Sequence, residues 1–223
     1  LSFGSISRRW SDYLEILKIG SSSFCRQGLA GISTVALNVT AGGYGDAAVA
    51  AMSIVGRVFH FLLSALIGFG QGFQPVSAFN YGAKKYSRVR EAFWFSIQSS
   101  LIVMSISALI GIVFSAPIVR MFRDDPAVIS IGVTALRIQC FALFFMPLSL
   151  YGNMLFQSIG KSGRATFLSM IRSGLVFIPV LWLMNTILGL TGIQISQTIS
   201  DVISAAITLP MVVKFFKTMP KDM

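Results

Sequence analysis

The chain has 223 residues and a net charge of +10, and 54% of its residues are hydrophobic while 12% are charged. Soluble domains carry about 25% charged residues. This composition, with a mean hydropathy of +0.75, therefore excludes a soluble globular domain and indicates an integral membrane protein. The two cysteines and the single histidine are too few for a disulfide framework or a clustered metal site, so neither is predicted.

Six membrane-spanning helices are predicted in chain order, because apolar runs of about 20 residues or more are separated by short turn signals. The turn signals are TAGGYGD (40–46), YGAKKYSR (81–88), FRDDP (122–126), GKSGR (160–164) and LGLTG (188–192). The predicted spans are 13–40, 47–81, 89–118, 127–158, 163–187 and 193–216. The fold class is therefore predicted to be all-α, an integral membrane bundle of six transmembrane helices.

The first predicted span contains IGSSSFCRQGLAGISTVALNVTAGG (19–43), which is poor in large apolar side chains. A helix of this composition is not expected to face lipid on all sides, so we predict that it lines a cavity or packs closely on a neighbour. Arg26 and Asn38 are its candidate cavity residues. The chain starts at Leu1 without a recognisable signal peptide, and we expect the sequence to be truncated.

The second span contains the stretch GFGQGFQP (68–75), which has two interpretations. Glycines at this spacing allow close helix packing in lipid. Alternatively, they mark a flexible or partly unwound helix end beside a substrate path, as in the broken helices of transporters. Amides in lipid need partners or water, which somewhat favours the second interpretation. Its candidate residues are Gly68, Gly70, Gly72 and Pro75 for a helix break, and Gln71 and Gln74 for the cavity wall.

The fourth span is expected to begin with a defined cap and to contain a kink. Asp125 can cap the helix, and Pro126 fits its first turn, where a missing N–H costs nothing. Pro147, in FFMPLSLYGN (144–153), is expected to kink the helix and to contribute to gating. The side chains around it suit either an adaptable, partly polar cavity wall or ordinary bundle packing. They are Met146, Tyr151, Asn153 and Met154.

Five charged side chains are predicted at membrane depth, where charge is costly and usually faces inward. Counting about 1.5 Å per residue from the nearest turns places Asp201 at a depth similar to Arg57 and Arg137, so we predict that it pairs with one of these two arginines. The pair is interpreted as a buried structural clasp, with a proton or cation relay as the alternative. Arg172 is expected to extend towards the cytoplasm. The five residues are Arg26, Arg57, Arg137, Arg172 and Asp201.

Basic residues are distributed unequally between the two sides of the predicted bundle. Twelve lysines and arginines fall on the side that holds both termini and the second and fourth loops, whereas only Arg120 and Arg123 fall on the other. By the positive-inside rule, both termini are predicted to be cytoplasmic, in the plasma (inner) membrane. The charge of +10 thus reflects topology, and no nucleic-acid partner is predicted.

Two short motifs resemble nucleotide-binding loops but lack the required context. GFGQGF (68–73) lies inside a membrane helix, and GKS (160–162) lacks the glycine that a phosphate-binding loop has five residues earlier. No nucleophile–base pair, metal cluster or cofactor loop is recognisable in the sequence. The chain is therefore predicted not to be an enzyme and not to hold a cofactor.

Three longer stretches together resemble a known family. They are GQGFQPVSAFNYGAKKYSRVREA (70–92), MPLSLYGNMLFQSIGKSGRATFLSMIR (146–172) and GLTGIQISQTISDVISAAITLP (189–210). In this order they resemble the C-terminal half of a MATE (multidrug and toxic compound extrusion) transporter. The resemblance extends over roughly residues 10–217.

The resemblance implies one lobe of a twelve-helix transporter, in which two six-helix lobes enclose a central cavity. Such a protein exports drugs or organic cations by alternating access in exchange for H⁺ or Na⁺. In these terms, residues 1–12 are the end of a cytoplasmic inter-lobe linker, 13–217 the lobe and 218–223 a cytoplasmic tail. The implied partners are membrane lipid, an N-terminal six-helix lobe and small amphipathic or cationic substrates.

Some family members carry membrane acids in the first and fourth helices of this lobe. Here the first helix offers only Glu15, near its start, and the fourth offers none. Coupling through carboxylates of that kind is therefore not expected, and the coupling role is not transferred to Asp201.

Two alternatives remain open from the sequence. The first is half of a lipid-linked or polysaccharide flippase of the same superfamily, whose large cavity could be lined by Arg26, Arg57 and Arg137. The second is a truncated membrane fragment that does not transport.

Overall fold

The computed structural model describes residues 10–220. Within the first helix it leaves out the side chains of Asp12, Glu15, Ile16, Lys18, Ile19, Ser21, Ser22, Ser23, Cys25 and Arg26. The predicted linker end (1–12) and tail (218–223) therefore lie largely outside the described residues. The described part is all-α, as predicted.

Six helical segments run in sequence, and three of them are interrupted. A break at Phe114 separates the two helices of the third segment. A 3₁₀ turn, Phe141–Phe144, interrupts the fourth, and a π-helical turn, Ile171–Leu175, interrupts the fifth. The helices are α1 (Trp10–Gly42), α2 (Asp46–Gly82), α3 (Tyr86–Val113), α4 (Ser115–Phe122), α5 (Pro126–Cys140), α6 (Met146–Ser158), α7 (Ser162–Met170), α8 (Phe177–Leu188) and α9 (Leu190–Lys217). The first and last residues of each segment lie within four residues of the ends of the corresponding predicted span.

Within residues 10–220, five helical segments are long and apolar enough to cross a membrane. The segment outside this set is α1, whose sequence is rich in small and polar residues. Its length of 33 residues is sufficient to span a bilayer, but its composition suits a helix that faces protein or a cavity on one side.

Local sequence signals explain two of the connections. The Asp125 side chain accepts hydrogen bonds from the backbone N–H of Ala127 (2.9 Å) and Val128 (3.3 Å), so the predicted cap of α5 is confirmed. The turn between α8 and α9 uses Gly189 at φ 58°. At Gly192 a Cβ atom would collide with the backbone carbonyl of Met184, so the two helices of this hairpin approach each other closely.

Two apolar clusters form the core. The larger one fills the space between α2, α3, α6 and the end of α9, and Phe93, Tyr151 and Phe156 are its largest fully buried members. The smaller one lies between α2, α5, α8 and the start of α9, around Val55, Leu136 and other buried side chains. Cys140 is buried in the larger cluster, where its sulfur packs against Gly111.

The two ends of the bundle differ in charge. At one end, Lys161 Nζ lies 4.1 Å from the centroid of the Phe215 ring, and an Arg90 N–H donates to the carbonyl of Phe216 at 2.8 Å. At the other end, Arg120 forms a 3.0 Å ion pair with Asp124. At the first end, the cations therefore contact an aromatic ring and a backbone carbonyl. At the second end, the arginine has an acidic partner.

Candidate functional site

A polar cavity opens between α1, α2 and α9, next to the π-helical turn. Its volume is about 570 Å³, and a neighbouring space of about 390 Å³ shares part of its wall with it. Ligand pockets for drug-sized molecules usually measure about 300–1,000 Å³. The residues common to both spaces are Thr34, Leu37, His60, Leu63, Arg172 and Gln197.

Helix α2 supplies one wall of the cavity. Ser53, Gly56, His60 and Leu63 follow one another at spacings of three or four residues, and Arg57 lies four residues after Ser53 and three before His60, so they share one helix face. Arg57 and His60 are both exposed. Among the described residues, neither forms an ion pair with a carboxylate.

Helix α9 supplies the opposite wall with Ile193, Gln197 and Asp201, which are spaced four residues apart. The helix is tied to its neighbour because Gln194 Nε2 donates to the carbonyl of Ile131 at 3.1 Å and Thr198 Oγ1 donates to that of Ile138 at 3.3 Å. These bonds fix the face of α9 that is turned towards the cavity.

Asp201 pairs with Arg172, and the predicted pairing with Arg57 or Arg137 is wrong. Asp201 is 1% exposed, and its Oδ1 lies 3.5 Å from Arg172 Nε. Neither of these two atoms makes a hydrogen bond, so the contact is an ion pair without hydrogen-bond geometry. Asp201 Oδ2 accepts a weak hydrogen bond from Gln197 Nε2 at 3.3 Å.

The location of Arg172 in the π-helical turn explains why the depth argument failed. A π turn adds a residue to the helical repeat and redirects the following side chains, and it gives Arg172 a half-buried place in the cavity wall. The turn is braced by Ser33 Oγ, which donates to the carbonyl of Ser173 at 2.6 Å. Arg137 instead donates from Nε to Ser115 Oγ at 2.9 Å and is exposed.

Four predicted site residues lie in the cavity wall: Asn38, Arg57, Met146 and Asp201. Asn38 is half-buried on α1, and Met146 is buried at the start of α6. The side chain of Arg26 lies outside the described residues.

Other predicted cavity residues belong to the packed core instead. The hydroxyls of Tyr151 and Ser100 share a 2.6 Å hydrogen bond. Asn153 Nδ2 donates to Ser169 Oγ at 2.8 Å and also to the carbonyl of Ala165. Met154 is buried in the larger apolar cluster. Of the two alternatives for these three residues, ordinary bundle packing is the one that the structure shows.

The two glutamines of the second span also lie away from the cavity. Gln74 Nε2 donates to Gln157 Oε1 at 3.2 Å, which joins α2 to the end of α6. Gln71 is exposed and is not among the residues that line the cavity.

The glycine stretch does not break its helix, so the prediction of an unwound segment there is wrong. Helix α2 continues through Pro75 to Gly82. Gly70 is buried, and a Cβ there would collide with the Met154 sulfur and approach Tyr151, which fits the packing interpretation. Gly68 and Gly72 have open space around them and border an apolar groove.

Pro147 lies next to a real interruption. It occupies the first turn of α6, directly after the 3₁₀ turn, where its missing N–H is tolerated. Among the described residues, the helix breaks are therefore in the third, fourth and fifth segments rather than in the second.

Sequence reasoning missed several cavity residues. Gln197 lies one turn before Asp201, and His60 lies one turn after Arg57, so helical spacing alone would have added both. Nothing in the sequence marks the π-helical turn that brings Arg172 to the cavity. The missed polar residues are Thr34, Ser53, His60, Gln139, Arg172 and Gln197.

A bundle of membrane helices with a drug-sized cavity is typical of membrane transporters. The family model MatE matches residues 27–183, which is more than half of the chain. The chain therefore belongs to the MatE family, whose members are transporters and not enzymes.

Relatives and solved structures agree with this assignment. The chain is 27% identical over 192 residues to "Multidrug export protein MepA" of Staphylococcus saprophyticus, which covers 86% of this chain and 42% of the relative. It is 27% identical to MepA of Staphylococcus haemolyticus, over 87% of this chain and 43% of that protein. The chain thus spans less than half the length of these curated relatives.

The fold matches outward-facing and bent transporter structures. A structure described as the outward-facing conformation of a multidrug resistance MATE family transporter of the MOP superfamily has a TM-score of 0.88 and 19% identity, over 98% of this chain and 50% of that one. The Vibrio cholerae MATE transporter VcmN in its bent form has a TM-score of 0.87 and 22% identity, again over 98% and 50%. At this identity, the likeness concerns the fold alone.

Proposed function

We propose that this chain is the C-terminal six-helix lobe of a secondary active transporter that exports drugs or organic cations by alternating access. The observation that carries the proposal is the drug-sized polar cavity in a lobe of the MatE family. The substrate class is supported by the relatives, which are named multidrug export proteins. The lobe works with an N-terminal lobe of the same architecture, and the similar structures have about twice the length of this chain.

The exchanged ion is H⁺ or Na⁺. Among the described residues that line the cavity, Asp201 is the carboxylate, and the Arg172 guanidinium compensates its charge. We therefore leave the coupling role unassigned within this lobe.

The lobe lies in the plasma membrane as a multi-pass protein with both ends cytoplasmic. The orientation is supported by the excess of basic residues at one end of the bundle. Large apolar side chains are exposed along several helices and suit contact with lipid or with the second lobe. Examples are Phe24, Ile32, Val35, Val39, Phe95, Ile102, Ile106, Trp182 and Ile187.

A flippase for lipid-linked or polysaccharide substrates is the second candidate, because Arg57 lines the cavity. Arg137, which was expected to act with it, is bonded to Ser115 instead. The described cationic side chains of the cavity wall are therefore Arg57 and Arg172, and Asp201 compensates the charge of the second.

Dye efflux tests the proposal. Cells that express the intact transporter containing this chain should lose a preloaded cationic dye faster than vector controls, and dissipation of the coupling-ion gradient should abolish the difference. Dye retention equal to the control, together with accumulation of a lipid precursor on deletion of the gene, would replace export with the flippase function.

A further inference from the structure

The charges in the cavity do not cancel within the described residues. Arg172 and Asp201 compensate each other as an ion pair. Arg57 lines the same cavity and is exposed to it, but it forms no ion pair with any described residue. An arginine at membrane depth is costly, and it usually has a partner or marks a substrate path.

The surroundings of Arg57 add a second donor. His60 lies three residues later on the same face of α2 and lines both parts of the cavity. Whatever its protonation state, an imidazole offers at least one N–H donor. A ligand group that bridges Arg57 and His60 would therefore be a hydrogen-bond acceptor. A negatively charged acceptor would bind the guanidinium of Arg57 most strongly.

The rest of the cavity wall combines polar and apolar side chains. Leu37, Met52, Phe59, Leu63 and Ile193 contribute hydrocarbon surface, and Phe59 and Met52 are themselves buried. A small hydrated ion would gain nothing from this surface. A molecule with an apolar body and one charged end would use both parts of the wall.

We propose that the cavity binds an amphipathic molecule through a single anionic group, a carboxylate, sulfonate or phosphate, which is seated on the Arg57 guanidinium beside His60. This inference rests on the proposed function and specifies its substrate class, so that exported drugs include zwitterions and amphipathic anions. An aromatic cation lacking an acidic group gains no contact from Arg57. Asp201 does not reverse this preference, because it is buried and faces Arg172.

The test compares two dyes that differ in the esterification of one carboxylate. Rhodamine B carries a free carboxylate, and its ethyl ester does not. Their affinities for the purified intact transporter are measured by fluorescence anisotropy. In Arg57→Gln, we expect the affinity for rhodamine B to fall about tenfold or more, with a change of less than about twofold for the ester. Arg57→Lys should retain part of the difference, because lysine keeps the charge without the planar fork.

Arg137→Gln is the matched control, because Arg137 is also an exposed membrane arginine but does not line the cavity. It should leave the affinities for both dyes unchanged. If Arg57→Gln weakens both dyes equally, or neither, the proposal is overturned. Size-exclusion profiles show whether each variant is folded, and the removal of an unpaired membrane charge is not expected to impair folding.

The same anionic group can belong to a soluble solute or to a lipid headgroup, and nanodiscs distinguish these sources. If a lipid occupies the site, wild-type affinity for rhodamine B should be lower in phosphatidylglycerol discs than in phosphatidylcholine discs, and Arg57→Gln should remove the difference. Equal wild-type affinities in both discs assign the site to soluble solutes. Either result supports an anion seated on Arg57.

Efflux separates this inference from the proposed function. Export of the ester with no Arg57-dependent binding of rhodamine B refutes the anion site and leaves export intact. Arg57-dependent binding without export of either dye supports the anion site and refutes the transport proposal.

Discussion

Two polar clusters of this lobe can be compared directly. In the core, the Asn153 amide has two acceptors, Ser169 and the Ala165 carbonyl, and the Tyr151 hydroxyl is bonded to Ser100. In the cavity, Asp201 and Arg172 are close without a hydrogen bond between them. The core cluster joins neighbouring helices by hydrogen bonds, whereas the cavity cluster borders a space large enough for a ligand. The same kinds of polar side chain thus connect helices in one region and line a cavity in the other.

The largest effect is expected from breaking the cavity pair on one side. Asp201→Ala leaves the Arg172 charge without compensation, and loss of one partner of a buried ion pair costs about 3–5 kcal/mol. We expect a strong fall in folded yield and in the melting temperature of the intact transporter in detergent. Arg172→Met combined with Asp201→Leu should recover most of this stability. A single variant as stable as wild type would show that the pair contributes nothing.

A smaller effect is expected from the core amide. Asn153→Ala leaves the Ser169 hydroxyl and the Ala165 carbonyl without this donor, at a cost of about 1–3 kcal/mol. Asn38→Ala is the matched control, because Asn38 faces the cavity, where water can replace its bonds. Thermal unfolding should show a clear loss for the first variant and little for the second. Equal losses of stability in both variants would mean that the hydrogen bonds of Asn153 contribute no more to stability than those of Asn38.

The glycine stretch tests how tightly the core surrounds Tyr151. Gly70→Ala places a methyl group against Met154 and Tyr151, and overpacking of a core costs about 1 kcal/mol or more. Because the Met154 side chain is flexible, we expect the low end of this range. Gly68→Ala, which has open space around it, should leave the melting temperature unchanged or raise it. A loss of stability at Gly68 would contradict the packing assignment.

The smallest effect is expected at the hydroxyl of Tyr151. Tyr151→Phe removes one neutral hydrogen bond, which is worth about 1 kcal/mol, and Ser100 can rotate to another acceptor. The melting temperature should fall slightly while dye efflux persists. A loss of efflux without a loss of stability would show that Tyr151 acts in transport and not only in core packing.

Local signals predicted the helical segments and the cap well. The apolar runs and the Asp125–Pro126 pair act within a few residues, so the sequence alone places their effects. The pairing of Asp201 depends on the rotation of α9 and on a π-helical turn around Arg172, which no local pattern encodes. Of the two interpretations of the glycine stretch, the structure fits close packing at Gly70, because a membrane helix tolerates glycine and proline when its neighbours satisfy the freed backbone groups.

The burial of Cys140 against Gly111 has a practical consequence. Its thiol is enclosed at the start of the 3₁₀ turn, so a maleimide reagent can reach it only when α3 and α5 separate. Mass spectrometry distinguishes its modification from that of Cys25. The native sequence therefore carries a kinetic probe, and the labelling rate at Cys140 measures how often this part of the bundle opens during turnover.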